Sequence, residues 1–295
     1  MHDQAAGLRR IMGHAPRFRV IGLFGTDATL TALAGAHLAH ALSLRGTPVW
    51  VVDEALAPHN AATCLGLVAR TTLDQTLRRD GPAAQALIEA APGLHCLPAN
   101  GGLPWLAGVP ERRWRAAVEG LTARPPQPEC LLLLAPPARE DLSLALCAPQ
   151  RLLVLPQGRQ ALTRAYALLK SVQRSHPSEH WQVLVTQAAD DEAARATHAA
   201  LEGTAQRFLG LRPHWLGSVP PDPALTEAMR HLRSVREIPA ERPAMLAFRR
   251  LADALMDTPA PAGLYPPEEF WLKMWMFSRL LAETPPEREP DAQLS

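Results

Sequence analysis

The chain has 295 residues, 47 % of them apolar, and carries 30 Lys and Arg against 29 Asp and Glu. That is enough apolar material for a sizeable core, and a charge balance this close to neutral gives no basic face from which to expect a nucleic-acid partner. The four cysteines, Cys64, Cys96, Cys130 and Cys147, form no C-x-x-C or Cys/His ligand pair, so they read as buried free thiols in a reducing cytoplasm rather than a zinc site; no apolar leader or membrane-crossing run is present.

Short apolar runs alternate with helical patterns along the chain. The first ten residues, MHDQAAGLRR, precede the first strand-like run and are too few to build a core. Strands are predicted at 18–24 (FRVIGLF), 48–52, 94–97, 130–134 (CLLLL), 151–155, 182–186 and 214–218. They are continuously apolar, as expected for strands covered on both faces. Helices are predicted at 28–45, 72–90, 111–123, 140–147, 160–175, 190–209, 223–233 and 241–257. This alternation predicts an α/β fold: a mostly parallel sheet of about seven strands with helices on both faces. The Pro-rich stretch 258–267 reads as a linker. An isolated amphipathic helix follows at 268–283, and the Pro- and Glu-rich end 284–295 reads as a disordered tail. The organisation is thus an arm at 1–16, an α/β domain at 17–257, a linker, a helix and a tail.

In such a fold the first strand-to-helix turn is where phosphates bind, cradled by backbone N–H groups and neutralised by a lysine. Here the turn keeps Gly25 but continues Thr26, Asp27, Ala28, Thr29, Leu30, Thr31, with no lysine. Asp27 has the wrong sign for a triphosphate, and a β-branched Thr29 hinders close approach.

From about residue 18 to 257 the sequence resembles the MinD/ParA-type P-loop ATPases, and among them the flagellar regulators of the FlhG/FleN type. The stretches that carry the resemblance are LSLRGTPVWVVDE (43–54), HNAATCLGLVARTTLDQTL (59–77), GLHCLPANGGL (93–103), ALTRAYALLKSV (161–172) and FLGLRPHWLGSVPPDPALTEAMRH (208–231). Each is weak alone and they are specific together. The resemblance implies a MinD-like fold and an ATP site, yet the sequence departs from the family at three places. The family loop K-G-G-V-G-K-T carries two lysines, one reaching across an ATP-sandwiched dimer; neither is present in 25–33, and the loop is one residue shorter. In the family's D-x-D after strand two, Asp53 remains but Ala55 replaces the second acid. The magnesium-holding aspartate after 130–134 is replaced by Ala135 and Pro136. Phosphoryl transfer depends on such groups. The expectation is therefore a non-hydrolysing domain with no resident cofactor, ATP and Mg²⁺ included, with weak nucleotide binding left open. Asp53 reads as a solvated or capping acid. Without the ATP sandwich, a monomer or a nucleotide-independent dimer is expected.

The same resemblance gives the arm a meaning. FlhG-type proteins carry an N-terminal D-Q-A-x-x-L-R motif, and Asp3, Gln4, Ala5, Leu8 and Arg9 match every fixed position. In that family the segment becomes helical on FlhF, a signal-recognition-particle-type GTPase, and raises its GTP hydrolysis. The residues suit this. Asp3 can cap a helix N-terminus, Gln4, Leu8 and Ile11 share one face, and a neutral glutamine amide can orient water. Gly7 costs about 1 kcal/mol against alanine in a helix, so order is expected only on a partner. The alternative is an extension that packs on its own domain. What the resemblance implies is control of flagellar number or placement. The alternatives are a MinD-type ATPase with an unusual loop, or a scaffold or antiactivator that restrains a FleQ-like transcriptional regulator.

In the C-terminal helix, Phe270, Trp271, Met274, Trp275, Phe277 and Leu281 cover more than half the circumference. Three destinations suit it: the domain core, a partner protein, or the inner membrane or cell pole, as the amphipathic end of MinD-like proteins would suggest. Lys273 and Arg279 are few cations for an anionic membrane. His37 and His40 lie near one face of the first helix, without further ligands, and read as solvated or satisfied. No serine lies in a G-x-S-x-G elbow.

Overall fold

The computed structural model describes residues 18–124, 126–137, 139–231, 233–258 and 265–283. The arm, with Asp3, Gln4, Ala5, Leu8 and Arg9, lies outside the described residues, as do most of the linker and the tail.

In chain order the elements are β1 (Arg19–Gly25), α1 (Ala28–Leu44), β2 (Val49–Asp53), α2 (Ala61–Cys64), α3 (Leu73–Arg78), β3 (Ile88–Ala91), β4 (Leu94–Pro98), α4 (Gly102–Ala107), α5 (Glu111–Thr122), β5 (Cys130–Leu134), β6 (Gln150–Pro156), α6 (Arg159–Ser175), β7 (Trp181–Thr186), α7 (Asp191–Leu209), β8 (His214–Val219), α8 (Pro223–Arg230), α9 (Pro243–Asp257) and α10 (Pro267–Glu283). The sheet has eight strands in the order β3-β4-β2-β5-β1-β6-β7-β8. All pairs are parallel except β3 with β4. All seven predicted strands are present. Strand β3 is additional.

Each central strand feeds two cores because side chains alternate across a sheet. Trp50, Val52, Leu131 and Leu133 face one layer with Trp114, Leu169, Leu201 and Trp271. Val49, Val51, Leu132 and Leu134 face the other, with α1 and α9. Helix α1 is buried continuously from Thr31 to Leu42, which fits its apolar sequence on all sides. The sheet covers one side of it and α9 the other.

Two predicted helices are different in the structure. Residues 72–90 form α3, a 3₁₀ turn at Ala83–Gln85 and then β3. The break falls at Asp80, whose φ is 59°, followed by Gly81 and Pro82, a pair that cannot continue a helix. Pro92 and Gly93, with φ 77° at the glycine, then turn β3 back antiparallel onto β4. Residues 140–147 form two 3₁₀ turns separated by an extended Ser143. There the Leu144 N–H goes to the Glu54 carboxylate at 2.8 Å rather than to a helical carbonyl.

Helix α10 is not isolated. Phe270, Trp271 and Met274 are buried in the domain core, whereas Trp275, Phe277 and Leu281 pack against its edge. The Trp114 indole donates to the Trp271 carbonyl at 2.9 Å, and the Trp275 indole to the Val109 carbonyl at 2.8 Å. Trp114 and Trp271 meet edge to face with centroids 6.2 Å apart, and Phe270 meets Phe18 at 6.0 Å. The side chains that suggested a free membrane or partner helix are those that fix it to the domain. Met276 and Leu280, on its outer side, remain exposed. No helix among the described residues is long and apolar enough to cross a membrane.

Buried Arg19 opens β1 and straps the end of α9. Its guanidinium donates to the carbonyls of Leu255 (2.8 Å), Met256 (3.0 Å) and Thr258. These are carbonyls that a helix end leaves without intrahelical donors. Arg19→Met should lower stability by about 3 kcal/mol, since charged hydrogen bonds are lost at a partly buried site; a shift in the urea midpoint at constant slope measures it. Trp271→Ala should cost about 3–5 kcal/mol through the cavity it leaves, read in the same titration.

Candidate functional site

The C-terminal ends of β1, β2 and β5 lie side by side, with Leu23 and Asp53 both in register with Leu134. This is the end of a parallel sheet at which ligands bind. Only Thr26 and Asp27 separate β1 from α1. Asp27 is the N-cap: its carboxylate accepts from the Leu30 N–H at 2.9 Å. Its carbonyl accepts both the Thr31 N–H (3.0 Å) and the Thr31 hydroxyl (2.7 Å). A Cβ on Gly25 would lie 1.8 Å from Thr31 Oγ1, so glycine is needed for Thr31 to pack. Thr29 Oγ1 meets His59 Nδ1 at 2.8 Å. The turn is thus closed by its own side chains. A helix N-terminus binds an anion, and here the anion is a carboxylate of the same chain.

The five loop residues and Asp53 therefore divide. Gly25, Thr26, Asp27, Thr29 and Thr31 form one turn. Asp53 serves a second helix. One of its oxygens accepts from the Ala55 N–H at 2.9 Å and the other from the Ala61 N–H that begins α2. It is a buried capping acid, not a solvated one. Burial pushes its carboxyl up to about 6, with the two backbone hydrogen bonds pulling the other way. Ala135, where the family has its magnesium-holding acid, is buried and gives its N–H to the Leu23 carbonyl at 2.9 Å.

Glu54 was not legible as a site residue. It is buried beside Asp53, and one oxygen accepts from Ser143 Oγ (2.5 Å) and the Leu144 N–H (2.8 Å). Burial pushes its carboxyl up to about 8. Its signal was an acid next to the last residue of an apolar strand, with no local partner. His37, on α1, is buried and lies face to face with Phe248, centroids 5.1 Å apart. Neither of its ring nitrogens has a hydrogen-bond partner, and neither does His40 Nδ1. Burial lowers His37 to about 3. His37 is thus a neutral ring in an apolar setting, neither solvated nor satisfied, while burial, with Arg236 and Arg249 nearby, lowers His40 as well. No group of three metal-ligating side chains occurs among the described residues.

The raised Glu54 value fixes a pH dependence. The folded chain holds the Glu54 proton from the ordinary carboxyl value of 4.5 up to about 8, whereas the unfolded chain gives it up. The stabilisation is full below 4.5 and is lost as pH rises through about 8. Glu54→Gln keeps an acceptor for Ser143 and Leu144 without the charge. Its melting temperature should gain on the wild type progressively between pH 5 and pH 8 and level off above, in parallel thermal melts.

No family model matches the chain. Among curated proteins it is 25 % identical to the antiactivator FleN of Pseudomonas aeruginosa over 229 residues, 77 % of this chain and 82 % of that protein. Its fold is similar to that of MinD in the MinC:MinD cell division complex of Aquifex aeolicus, with a TM-score of 0.61 and 19 % identity over 84 % of this chain and 99 % of the other. The ParA-family ATPase of Chlorobium tepidum TLS superposes with a TM-score of 0.60 at 16 % identity, covering 80 % of this chain and 98 % of that one. The MinD cell division ATPase of Pyrococcus furiosus gives 0.59 at 19 % identity, covering 82 % of this chain and 100 % of that one. The chain is thus similar in sequence to FleN and shares the fold of MinD- and ParA-type ATPases.

Proposed function

We propose that the chain is a non-hydrolysing regulator of flagellar biosynthesis that acts through its N-terminal arm on an FlhF-like, signal-recognition-particle-type GTPase. The observation that carries this reading is the closed β1–α1 turn. The Asp27 carboxylate caps the helix end at which the family places ATP phosphates, and a second anion there meets repulsion instead of a lysine. Asp53 is committed to capping α2, and Ala135 offers no magnesium ligand. A domain without phosphate-binding charge retains its use as a platform. The motif Asp3, Gln4, Ala5, Leu8 and Arg9 then supplies the chemistry in trans. Asp3 caps the arm as it folds on the partner, Leu8 buries beside Ala5, Arg9 meets a phosphate or carboxylate, and the Gln4 amide orients the attacking water.

The name of the Pseudomonas relative, an antiactivator, favours a second reading. In it the domain is a scaffold that restrains a FleQ-like transcriptional regulator and leaves GTP turnover unchanged.

GTP turnover by the partner separates the two. The full chain should accelerate it, and removal of residues 1–16 or Gln4→Ala should reduce the stimulation about tenfold or more, the scale of a water-positioning group. Stimulation that survives deletion of the arm eliminates the proposal; a tight complex without any rate change supports the scaffold. Calorimetry with ATP and Mg²⁺ should give no binding isotherm at micromolar nucleotide. A micromolar Kd would restore the ATPase reading.

A further inference from the structure

Helix α10 runs along a groove of about 330 Å³ between α3, α4 and the start of α5. Trp105 and Val109 line it, Pro104 and Pro110 flank them, and Arg78 and Arg113 contribute two guanidinium groups. The Trp105 ring is half-buried and meets Trp114 edge to face, centroids 6.5 Å apart. Pro104 and Pro110 are exposed. The carbonyl of buried Val109 accepts the Trp275 indole N–H at 2.8 Å. The groove therefore continues the surface on which α10 is seated.

The chain continues from this place. Helix α10 passes from Trp114, beside Trp271, to Val109, beside Trp275, and ends at Glu283. Eight residues at 1.5 Å each put Glu283 about 12 Å past Trp275. The next twelve residues, TPPEREPDAQLS, span up to about 40 Å when extended, so the groove lies well within their reach. Their chemistry matches it. Paired prolines such as Pro285 and Pro286 are pre-set for an aromatic-lined groove and lose little entropy on entering one. Glu287, Glu289 and Asp291 outnumber Arg288. Arg78 is exposed, and among the described residues no ion pair engages it. Arg113 pairs with Asp80, and a guanidinium has five N–H donors to share.

We propose that this groove receives the chain's own segment 284–291, with Pro285 and Pro286 on the Trp105 ring and the three carboxylates facing Arg78 and Arg113. So seated, the segment extends the α10 interface and pins the end of α10 to α4 and α5. Charge selects this occupant over the N-terminal arm, whose Arg9 and Arg10 would meet two more cations. A second copy of the chain is the poorer match because the segment is tethered a short distance away, at an effective concentration that a dilute second copy does not reach. The groove involves neither the arm nor GTP, so its test can fail or succeed separately from the reading above.

The test follows amide hydrogen exchange over residues 103–113 by mass spectrometry, in the full chain and in a chain ending at Glu283. A contact of millimolar affinity held at the millimolar effective concentration of a short tether is about half engaged, so removal of 284–295 should speed exchange there about twofold. Added peptide of the sequence 284–295 should slow it again. The triple variant Glu287→Lys, Glu289→Lys, Asp291→Lys alters no described residue and should match the shortened chain, as should Arg78→Glu. Arg249→Glu, on α9 in the opposite layer, should leave exchange at the wild-type rate, because exposed charges off the contact contribute little. The protection should weaken as salt rises. Thermal melts matching the wild type establish that the variants fold. Exchange over 103–113 that is unchanged in the triple variant overturns the proposal. So does protection that grows with protein concentration alongside a dimer in light scattering, which assigns the groove to a second copy.

Discussion

One carboxylate at the start of one helix organises this domain. Helix α1 is apolar around its circumference and must be covered by the sheet on one side and α9 on the other. A helix so enclosed is open to solvent only at its two ends, and the N-terminal one lies at the strand ends where ligands bind. Asp27 occupies that end, satisfying the Leu30 N–H and, through its backbone, Thr31. Two residues, Thr26 and Asp27, make up the whole turn between β1 and α1. The interaction that starts the helix also occupies the helix end at which an anion would be bound.

The neighbouring acids follow the same logic. In a working site of this kind, carboxylates at strand ends stay ionised because metal and lysine compensate them. Here burial outweighs the pull of Arg139 on Glu54 and drives both Asp53 and Glu54 toward the neutral form. Each has instead become a hydrogen-bond hub. Asp53 holds the start of α2, and Glu54 holds the segment after β5 through Ser143 and Leu144. These segments are ordered by fixed internal acceptors. Helix α10 reinforces the opposite layer in a comparable way. Two tryptophans donate their indole N–H groups across its interface, turning an amphipathic segment that could have left the domain into part of its core.

The parts of the fold that follow local rules were legible in the sequence. Continuous apolar strands such as 130–134 and the strongly periodic α6 appear where the pattern puts them. The missed parts depend on distant partners. Strand β3 exists because β4 lies beside it, and its four residues, Ile-Glu-Ala-Ala, carry no strand signal of their own. Residues 140–147 have helical composition, but Glu54, some ninety residues earlier, competes for their backbone. The site was legible by subtraction: absent lysines and acids show in the sequence, whereas the capping role of Asp27 and the buried role of Glu54 need coordinates. The destination of α10 was open because an apolar stripe looks the same whether it meets lipid or Trp114.

The domain has what this architecture provides, a sheet with helices packed on both faces. Tyr166 and Phe208, for example, meet across two helices whose inner faces are packed into the core. Under the proposed function, regulation needs no turnover by this chain: the motif Asp3, Gln4, Ala5, Leu8 and Arg9 acts in the partner's site, and a contact tethered to an already engaged domain forms at an effective concentration set by its linker.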